Sequence, residues 1–297
     1  MARAVRRKGR VAFLVACLAP ALILYLGLVA GPFVQVFQLS LYRFSGVSTK
    51  RTFVGLENFQ DLWIEEPFWW ALRNSLTLML VVGPLILGVA LLLAHGMVGR
   101  DRASRTLRAI ILFPNVVSVV AVALLWRSVY NPSTGLLRGM GLPGPESGWL
   151  GDLNSAFPAF AFAFLWVSVG FYAMLFSAAL QGIPAEVHEA ADLEGCRGWS
   201  KFVSITWPLL WSVRRVALVH VSIASMSVFA LVHVMTDGAP SERTQTILNY
   251  LFRLMTMEGK YGHASAVAVV NIGILAAASL LLWVLMRRDP TAGQRAA

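Results

Sequence analysis

The chain has 297 residues, of which 57% are hydrophobic and only 13% charged. Soluble domains carry roughly 25% charge, and this much apolar side chain cannot be hidden in a water-soluble core, so the composition indicates an all-α polytopic membrane protein. The net charge of +10 comes from basic residues spread over loops, with no aromatic-interleaved basic motif. That disfavours nucleic acid as a partner and reads instead as a signature of membrane orientation.

Residues 1–10 form a basic stretch with Arg3, Arg6, Arg7, Lys8 and Arg10, and an apolar run over residues 11–34 follows. A basic stretch before an apolar one is also the outline of a secretory signal, and Leu14-Val15-Ala16-Cys17 resembles a lipoprotein cleavage box. The apolar stretch before Cys17 is short and the run continues well past it, so an uncleaved first transmembrane helix is expected. Pro20, Gly31 and Pro32 are expected to kink it, as bundles tolerate. Cys17 in the apolar run and Cys196 in a charged loop do not suggest a disulfide or a metal site.

Residues 41–73 are amphipathic and aromatic, with Tyr42, Phe44, Phe53, Phe59, Trp63, Phe68, Trp69 and Trp70. Such rings favour the headgroup layer. A second span is expected over residues 74–94, followed by a basic turn with Arg100, Arg102, Arg105 and Arg108. A third covers 109–130, with Pro114 and Asn115 inside it. Residues 131–155 are rich in Gly and Pro and read as a loop. A fourth span covers 156–180, a fifth 213–235 and a sixth 265–286, stopped by Arg287 and Arg288. Residues 11–288 thus form one transmembrane domain, and 289–297 are a tail. Each span is long enough for roughly 30 Å of hydrocarbon.

Between the fourth and fifth spans lies a loop, 183–210, with charge of both signs. Pro184 suits the first position of a helix. Glu186, Glu189 and Asp192 recur at i, i+3 and i+6, where acids in the first turns favour the helix dipole. Gly195 and Gly198 can end that helix by adopting positive φ. A second amphipathic run with Trp199, Phe202 and Ile205 follows, and Pro208 breaks or restarts the chain. His188 reads as a solvated loop residue. By spacing alone this is equally an ordinary helix at a membrane surface.

Within the loop, Glu189-Ala190-Ala191, then Gly195, then Ile205-Thr206-Trp207-Pro208 resembles the EAA loop of permease subunits of ATP-binding-cassette importers, with Trp207 where that family usually has leucine. Phe53-Val54-Gly55-Leu56-Glu57-Asn58-Phe59, Trp149-Leu150-Gly151-Asp152, Thr236-Asp237-Gly238-Ala239-Pro240 and Thr244-Gln245-Thr246-Ile247 resemble segments of its sugar-type members. The likeness covers roughly residues 12–288. It implies that the loop is a coupling helix docking into a groove on an ATPase subunit. Glu189 would pair with a basic group there, Ala190 and Ala191 would allow close approach, and Gly195 would make the turn, with Glu186 and Asp192 flanking them. An alanine face flanked by carboxylates also suits helix-in-groove docking on physical grounds. The implied partners are a homologous second permease, an ATPase dimer, an extracytoplasmic substrate-binding protein and membrane lipid.

Six spans place both termini on one side. With the amino terminus, the second and fourth loops and the tail assigned to the cytoplasm, sixteen of the 25 basic residues lie on that side and nine on the other. That bias supports both termini and the coupling loop inside.

The chemistry that is missing is informative. The one Gly-Lys pair, Gly259-Lys260, is followed by Tyr261 and lacks the upstream glycine of a phosphate-binding loop. No cofactor is expected on this chain, and ATP with Mg²⁺ would be bound by partner subunits. No metal-spaced cluster or nucleophile motif is present, so the chain is not expected to be an enzyme, and a lipid-modifying enzyme is a weak rival. The middles of the spans lack Asp, Glu, Lys and Arg, whereas proton- or ion-coupled carriers usually keep an ionisable group at depth. A neutral pathway suits a hydroxyl-rich solute. A self-sufficient channel or secondary carrier for a neutral polar solute is the alternative.

Candidate pathway residues are polar ones inside spans. Asn115 and Ser118 are placed on one face of the third span, Ser168 and Tyr172 on one face of the fourth, and Ser222 and Ser225 on one face of the fifth, by three- or four-residue spacing. Asn271 lies in the sixth. By resemblance to maltose-type permeases, the solute-contacting region includes Ser168, Gly170, Phe171, Tyr172, Ser222, Ser225 and Phe229. The family's asparagines in the fifth helix are here serines and apolar residues. For each serine, helix–helix hydrogen bonding is the plainer role, and His220 and His233 are read as packed or interfacial. A mono-, di- or oligosaccharide or a glycerol-phosphate each fits.

Overall fold

The computed structural model describes residues 2–46, 50–99, 101–142 and 144–287, with side chains from residue 13 onward. The tail 289–297, Arg100 and Arg288, on which part of the charge asymmetry rests, lie outside the described residues, as do the side chains of the basic amino terminus. The chain divides into two units, residues 1–64 with 253–270, and residues 65–252 with 271–297.

The first unit begins with α1 (Ala2–Tyr25), a π-helical turn (Leu26–Ala30) and α2 (Gly31–Leu39). Its apolar stretch Phe13–Leu39 is unburied. A short antiparallel hairpin follows, β1 (Tyr42–Arg43) with β2 (Thr52–Phe53), pairing Tyr42 with Phe53. Next comes α3 (Glu57–Ile64). Asn58 fastens α3 to the hairpin by donating from Nδ2 to the Ser40 carbonyl at 2.7 Å and the Tyr42 carbonyl at 3.1 Å. Gly262 donates its N–H to the Phe44 carbonyl at 3.1 Å. A Cβ at position 262 would fall on the Tyr42 carbonyl, so the approach needs glycine. The described residues 41–46 and 50–64 of the aromatic stretch therefore form a folded module, which interfacial partitioning alone does not predict.

The second unit opens with α4 (Glu66–Thr77), a π turn (Leu78–Val82) and α5 (Gly83–Met97), one continuous span. It starts at Glu66, well before the expected residue 74. Then come α6 (Arg102–Val116) and α7 (Val119–Val129), which meet at a 100° bend. The third span is thus broken, where the sequence suggested one rod. Val117 is extended (φ −78°, ψ 141°) and Ser118 is the N-cap of α7. Consecutive β-branched residues, and a serine of a type favoured at helix starts, disfavour a continuous helix here. A short α8 (Leu136–Gly139) leads through the loop to α9 (Ala156–Gln181).

After α9 come α10 (Ala185–Leu193) and α11 (Gly198–Lys201), which runs through a third π turn (Phe202–Thr206) into α12 (Trp207–Leu209). The chain then forms α13 (Trp211–Met226) and α14 (Ala230–Met235), the two halves of the fifth span. Two helices remain, α15 (Ile247–Thr256) and α16 (Tyr261–Leu285). The described residues thus give five membrane-length helical spans, and six when the bent α6–α7 pair counts as one.

Among the described residues, all three π turns run directly into a residue followed by proline: Gly31-Pro32, Gly83-Pro84 and Trp207-Pro208. A proline has no N–H, and its ring crowds the carbonyl four residues back. Widening the preceding turn to i→i+5 bonds, such as Gly83 N–H to the Leu78 carbonyl, relieves that crowding without ending the helix. Pro208 therefore widens a helix that stops two residues later at Leu210 (ψ 2°), and is not itself the break.

The core of the second unit forms where α5 lies along α9, with α6, α7, α13 and α14 around them. Ala90, Ala94, Ala163 and Ala173 are buried among Ile86, Phe160, Tyr172 and Phe176. Small residues let helix backbones approach closely in lipid, where dispersion replaces the hydrophobic effect as the driving force. Trp126 on α7 meets the rings of Phe162 and Trp166 on α9, with centroids at 5.4 and 5.6 Å.

Candidate functional site

The loop between the fourth and fifth spans is a helix–turn–helix. Pro184 (φ −57°, ψ 143°) is the N-cap of α10 and not its first helical residue. The helix ends in a Schellman motif. Gly195 takes φ +81°, its N–H bonds the Asp192 carbonyl at 3.2 Å, and the Cys196 N–H bonds the Ala191 carbonyl at 2.9 Å. Gly198 has φ +56° and opens α11. Gly195 thus ends the helix as its position suggested, whereas Gly198, also expected to end it, takes positive φ at the start of the next helix.

Glu186, Glu189, Ala190 and Asp192 are exposed on α10, and Leu193 is 90% exposed. Ala191 is 2% exposed. The two alanines therefore have different roles: Ala190 faces outward, while Ala191 seats α10 on its own chain. A contiguous alanine face does not form, because adjacent helical residues point about 100° apart. Asp192 is not a free carboxylate either, since Lys201 on α11 donates to both its oxygens at 2.9 and 3.0 Å. Glu186 and Glu189 are left as the outward pair. His188 is half-buried and lines a groove against α5 and α11, so it is less solvated than its neighbours suggest.

The proposed pathway residues divide into three groups. Gly170 on α9 lies against α6, where a Cβ would strike the Ile111 carbonyl and the Asn115 side chain. Asn115 and Gly170 are thus brought together. Asn115 and Ser118 are exposed but do not share a helical face, because the bend at Val117 separates them.

The second group is the cluster that α9 and α13 form. The Tyr172 hydroxyl and His220 Nδ1 share a hydrogen bond of 2.9 Å, and Phe171 stacks on the His220 ring at 4.9 Å and 29°. Tyr172 is buried, whereas Phe171 and His220 are exposed. Ser168, one turn before Tyr172, is half-buried. His220 is thus held by the two α9 rings, and its exposed edge faces outward from the pair. The available signal was a lone imidazole amid Ala217, Val219 and Val221, since polar groups at membrane depth are functional candidates.

The third group does not converge. Ser222 is buried and donates to its own helix at the Leu218 carbonyl, 2.8 Å away. Ser225 is fully buried, and its hydroxyl has no partner among the described residues. Phe229 stacks on His233 (5.1 Å, 16°) after the α13–α14 break, so it does not continue the Ser222–Ser225 face. Asn271 is buried on α16, with its Oδ1 unpartnered.

A polar knot holds the segment after α14. Asn74 Nδ2 donates to the Arg243 and Gln245 carbonyls at 2.7 and 2.8 Å. Ser75 Oγ accepts from the Ile247 N–H at 2.9 Å, and Thr246 donates to the Val228 carbonyl at 2.8 Å. Residues 236–246, with a cis Ala239–Pro240 bond, are thus tied to α4. Three or more metal-ligating side chains do not cluster anywhere among the described residues.

These features define a polytopic helical membrane protein with an exposed inter-span helix, α10, that presents Glu186 and Glu189 outward. Residues 86–288 match the family described as binding-protein-dependent transport system inner membrane component, and the chain belongs to that family. It is a membrane-embedded permease subunit and not an enzyme. It is 34% identical to the diacetylchitobiose uptake system permease protein NgcF of Streptomyces coelicolor, over 95% of this chain and 85% of that one. It is 32% identical to the trehalose/maltose transport system permease protein MalF of Thermococcus litoralis, over 89% and 90%. In fold it resembles a chain of a bacterial alginate ABC transporter solved with its pentasaccharide-bound periplasmic protein, with a TM-score of 0.80, 24% identity and coverage of 95% and 96%.

Proposed function

We propose that the chain carries a sugar across the cytoplasmic membrane by alternating access, driven by a separate ATPase dimer that grips α10. The carrying observation is the geometry of that helix. Ala191 and the Asp192–Lys201 pair fix it to its own chain, while Glu186 and Glu189 remain exposed between two spans. Closure of the ATPase on ATP would move α10, and with it α9 and α13, the helices carrying Phe171, Tyr172 and His220. The cofactor, ATP with Mg²⁺, belongs on those partners. The excess of basic residues on the α10 side supports placing α10 and both termini in the cytoplasm. The unburied first span supports a second permease chain as a further partner, and the family description supports an extracytoplasmic binding protein.

For the solute, the relatives' names point to sugars. The exposed Phe171–His220 stack next to the Tyr172 hydroxyl suits one, because ring faces accept the C–H face of a pyranose and the polar atoms accept its hydroxyls. The test is uptake by the reconstituted complex of Glu189→Arg combined with Gly195→Val. Loss of uptake together with weakened ATPase association is expected, and normal transport would overturn the reading.

A further inference from the structure

A groove of about 1110 Å³ runs between α5 and the α11–α12 helix, lined by Leu85, Leu92, Trp199, Phe202, Val203 and Trp207 among others. Its walls are mostly apolar and open, with Leu92 76% and Trp199 77% exposed, and carry Lys201, His95 and His188 as polar members, while Arg214 reaches it across the Trp207 ring. At its edge, Trp207 carries the Arg214 guanidinium over its ring at 3.7 Å, and Trp211 lies 5.2 Å from the same charge. Arg214 has no ion pair with a described residue, and its Nε is buried without an acceptor. The neighbouring Lys201 is neutralised by Asp192. Arg214 is therefore a half-buried cation, stacked against two indoles, with no anion among the described residues.

A partly desolvated guanidinium is stabilised by an oxyanion, and its planar fork suits phosphate. An aromatic-edged apolar groove beside such a charge combines the two halves of an amphiphile, and tryptophans concentrate at the headgroup level. We propose that this groove holds an anionic phospholipid of the cytoplasmic leaflet, with its phosphate on Arg214 and an acyl chain along Trp207, Phe202 and Leu92. The leaflet assignment rests on the orientation proposed above. The lipid would brace the helix that joins α10 to the fifth span, making coupling sensitive to the anionic lipid content of the membrane. Basic pockets between helices on the cytoplasmic side are general sites for anionic headgroups.

The test is native mass spectrometry of the purified transporter complex in detergent, after exchange into equal amounts of phosphatidylglycerol and phosphatidylcholine. Wild type is expected to retain phosphatidylglycerol preferentially, and Arg214→Gln to lower that preference roughly fivefold. Arg214→Lys should restore part of it, Trp207→Leu should lower retention of both lipids, and Arg215→Gln should leave the ratio unchanged. No preference in wild type, or an unchanged ratio in Arg214→Gln, overturns the site. So does displacement of the lipid by inorganic phosphate, or release of the ATPase by Arg214→Gln at an unchanged lipid ratio, which would assign Arg214 to a protein carboxylate. Sidedness is read separately, from labelling of Ser200→Cys by an impermeant maleimide in a Cys196→Ser background. Labelling in right-side-out vesicles would overturn the orientation and the leaflet, while the lipid ratio still decides the site.

Discussion

Lys201 Nζ sits 2.9 and 3.0 Å from the two carboxylate oxygens of Asp192, so the helix after the Gly195 turn holds the helix before it. The pair is partly exposed, and such pairs contribute about 0.5 kcal/mol. Its role is therefore to set the angle of α10, with little effect on overall stability. Asp192→Ala and Lys201→Ala should each weaken coupling of ATP hydrolysis to uptake, and the double substitution should be no worse than either single one. Additive losses would show that the two residues act on different partners.

Gly195 has φ +81° and no atom near the position a Cβ would take. Substitution there meets backbone strain but no crowding. Gly195→Ala should cost about 1 kcal/mol, and Gly195→Asn less, since asparagine tolerates the left-handed region. Uptake should fall in the order Gly, Asn, Ala. Equal activity of the alanine and asparagine variants would contradict the Schellman turn.

Gly170 presents the opposite case. A Cβ there would strike the Ile111 carbonyl and the Asn115 side chain, and a helix backbone yields little. Gly170→Ala should destabilise the α6–α9 contact by about 1–3 kcal/mol, seen as a lower thermal midpoint of the purified complex. An unchanged midpoint would mean that α6 is not held against α9 at this point.

Asn74 satisfies two carbonyls of the segment after α14. Asn74→Leu should cost about 2 kcal/mol and should raise protease nicking within residues 236–246. Unaltered nicking would show that the segment is held by Thr246 and Ser75 alone.

Phe171→Ala removes the ring stacked on His220, a contact worth about 1 kcal/mol. Uptake at low solute should fall roughly fivefold, with ATPase association intact. A parallel loss of ATPase association would mark the stack as structural.

How much of this could be read from the residues varies with the physics. Periodic acids on α10 and the Gly195 turn that ends it were legible, because local chemistry decides both, while Gly198 opens the next helix instead of ending this one. Pro32, Pro84 and Pro208 announce disturbed turns, though sequence alone did not distinguish a widened turn from a break. The bend at Val117 was hidden, since an apolar run of spanning length reads as one rod. The outward Ala190 and inward Ala191 depend on how α10 seats on its own chain. The Tyr172–His220 bond joins residues 48 positions apart, and the Arg214–Trp207 stack needs the exact phase between α12 and α13. α15 was missed because its ten residues are too few to register as a span.

The central claim is that Glu186 and Glu189 on α10 are gripped by a separate ATPase. The most direct measurement is capture of the ATPase subunit by purified permease complexes carrying Glu186→Lys and Glu189→Lys together. Capture should fall at least tenfold, with the fold and solute-independent melting unchanged, because reversal turns an attraction into like-charge repulsion. Capture at the wild-type level by a folded double variant would contradict it.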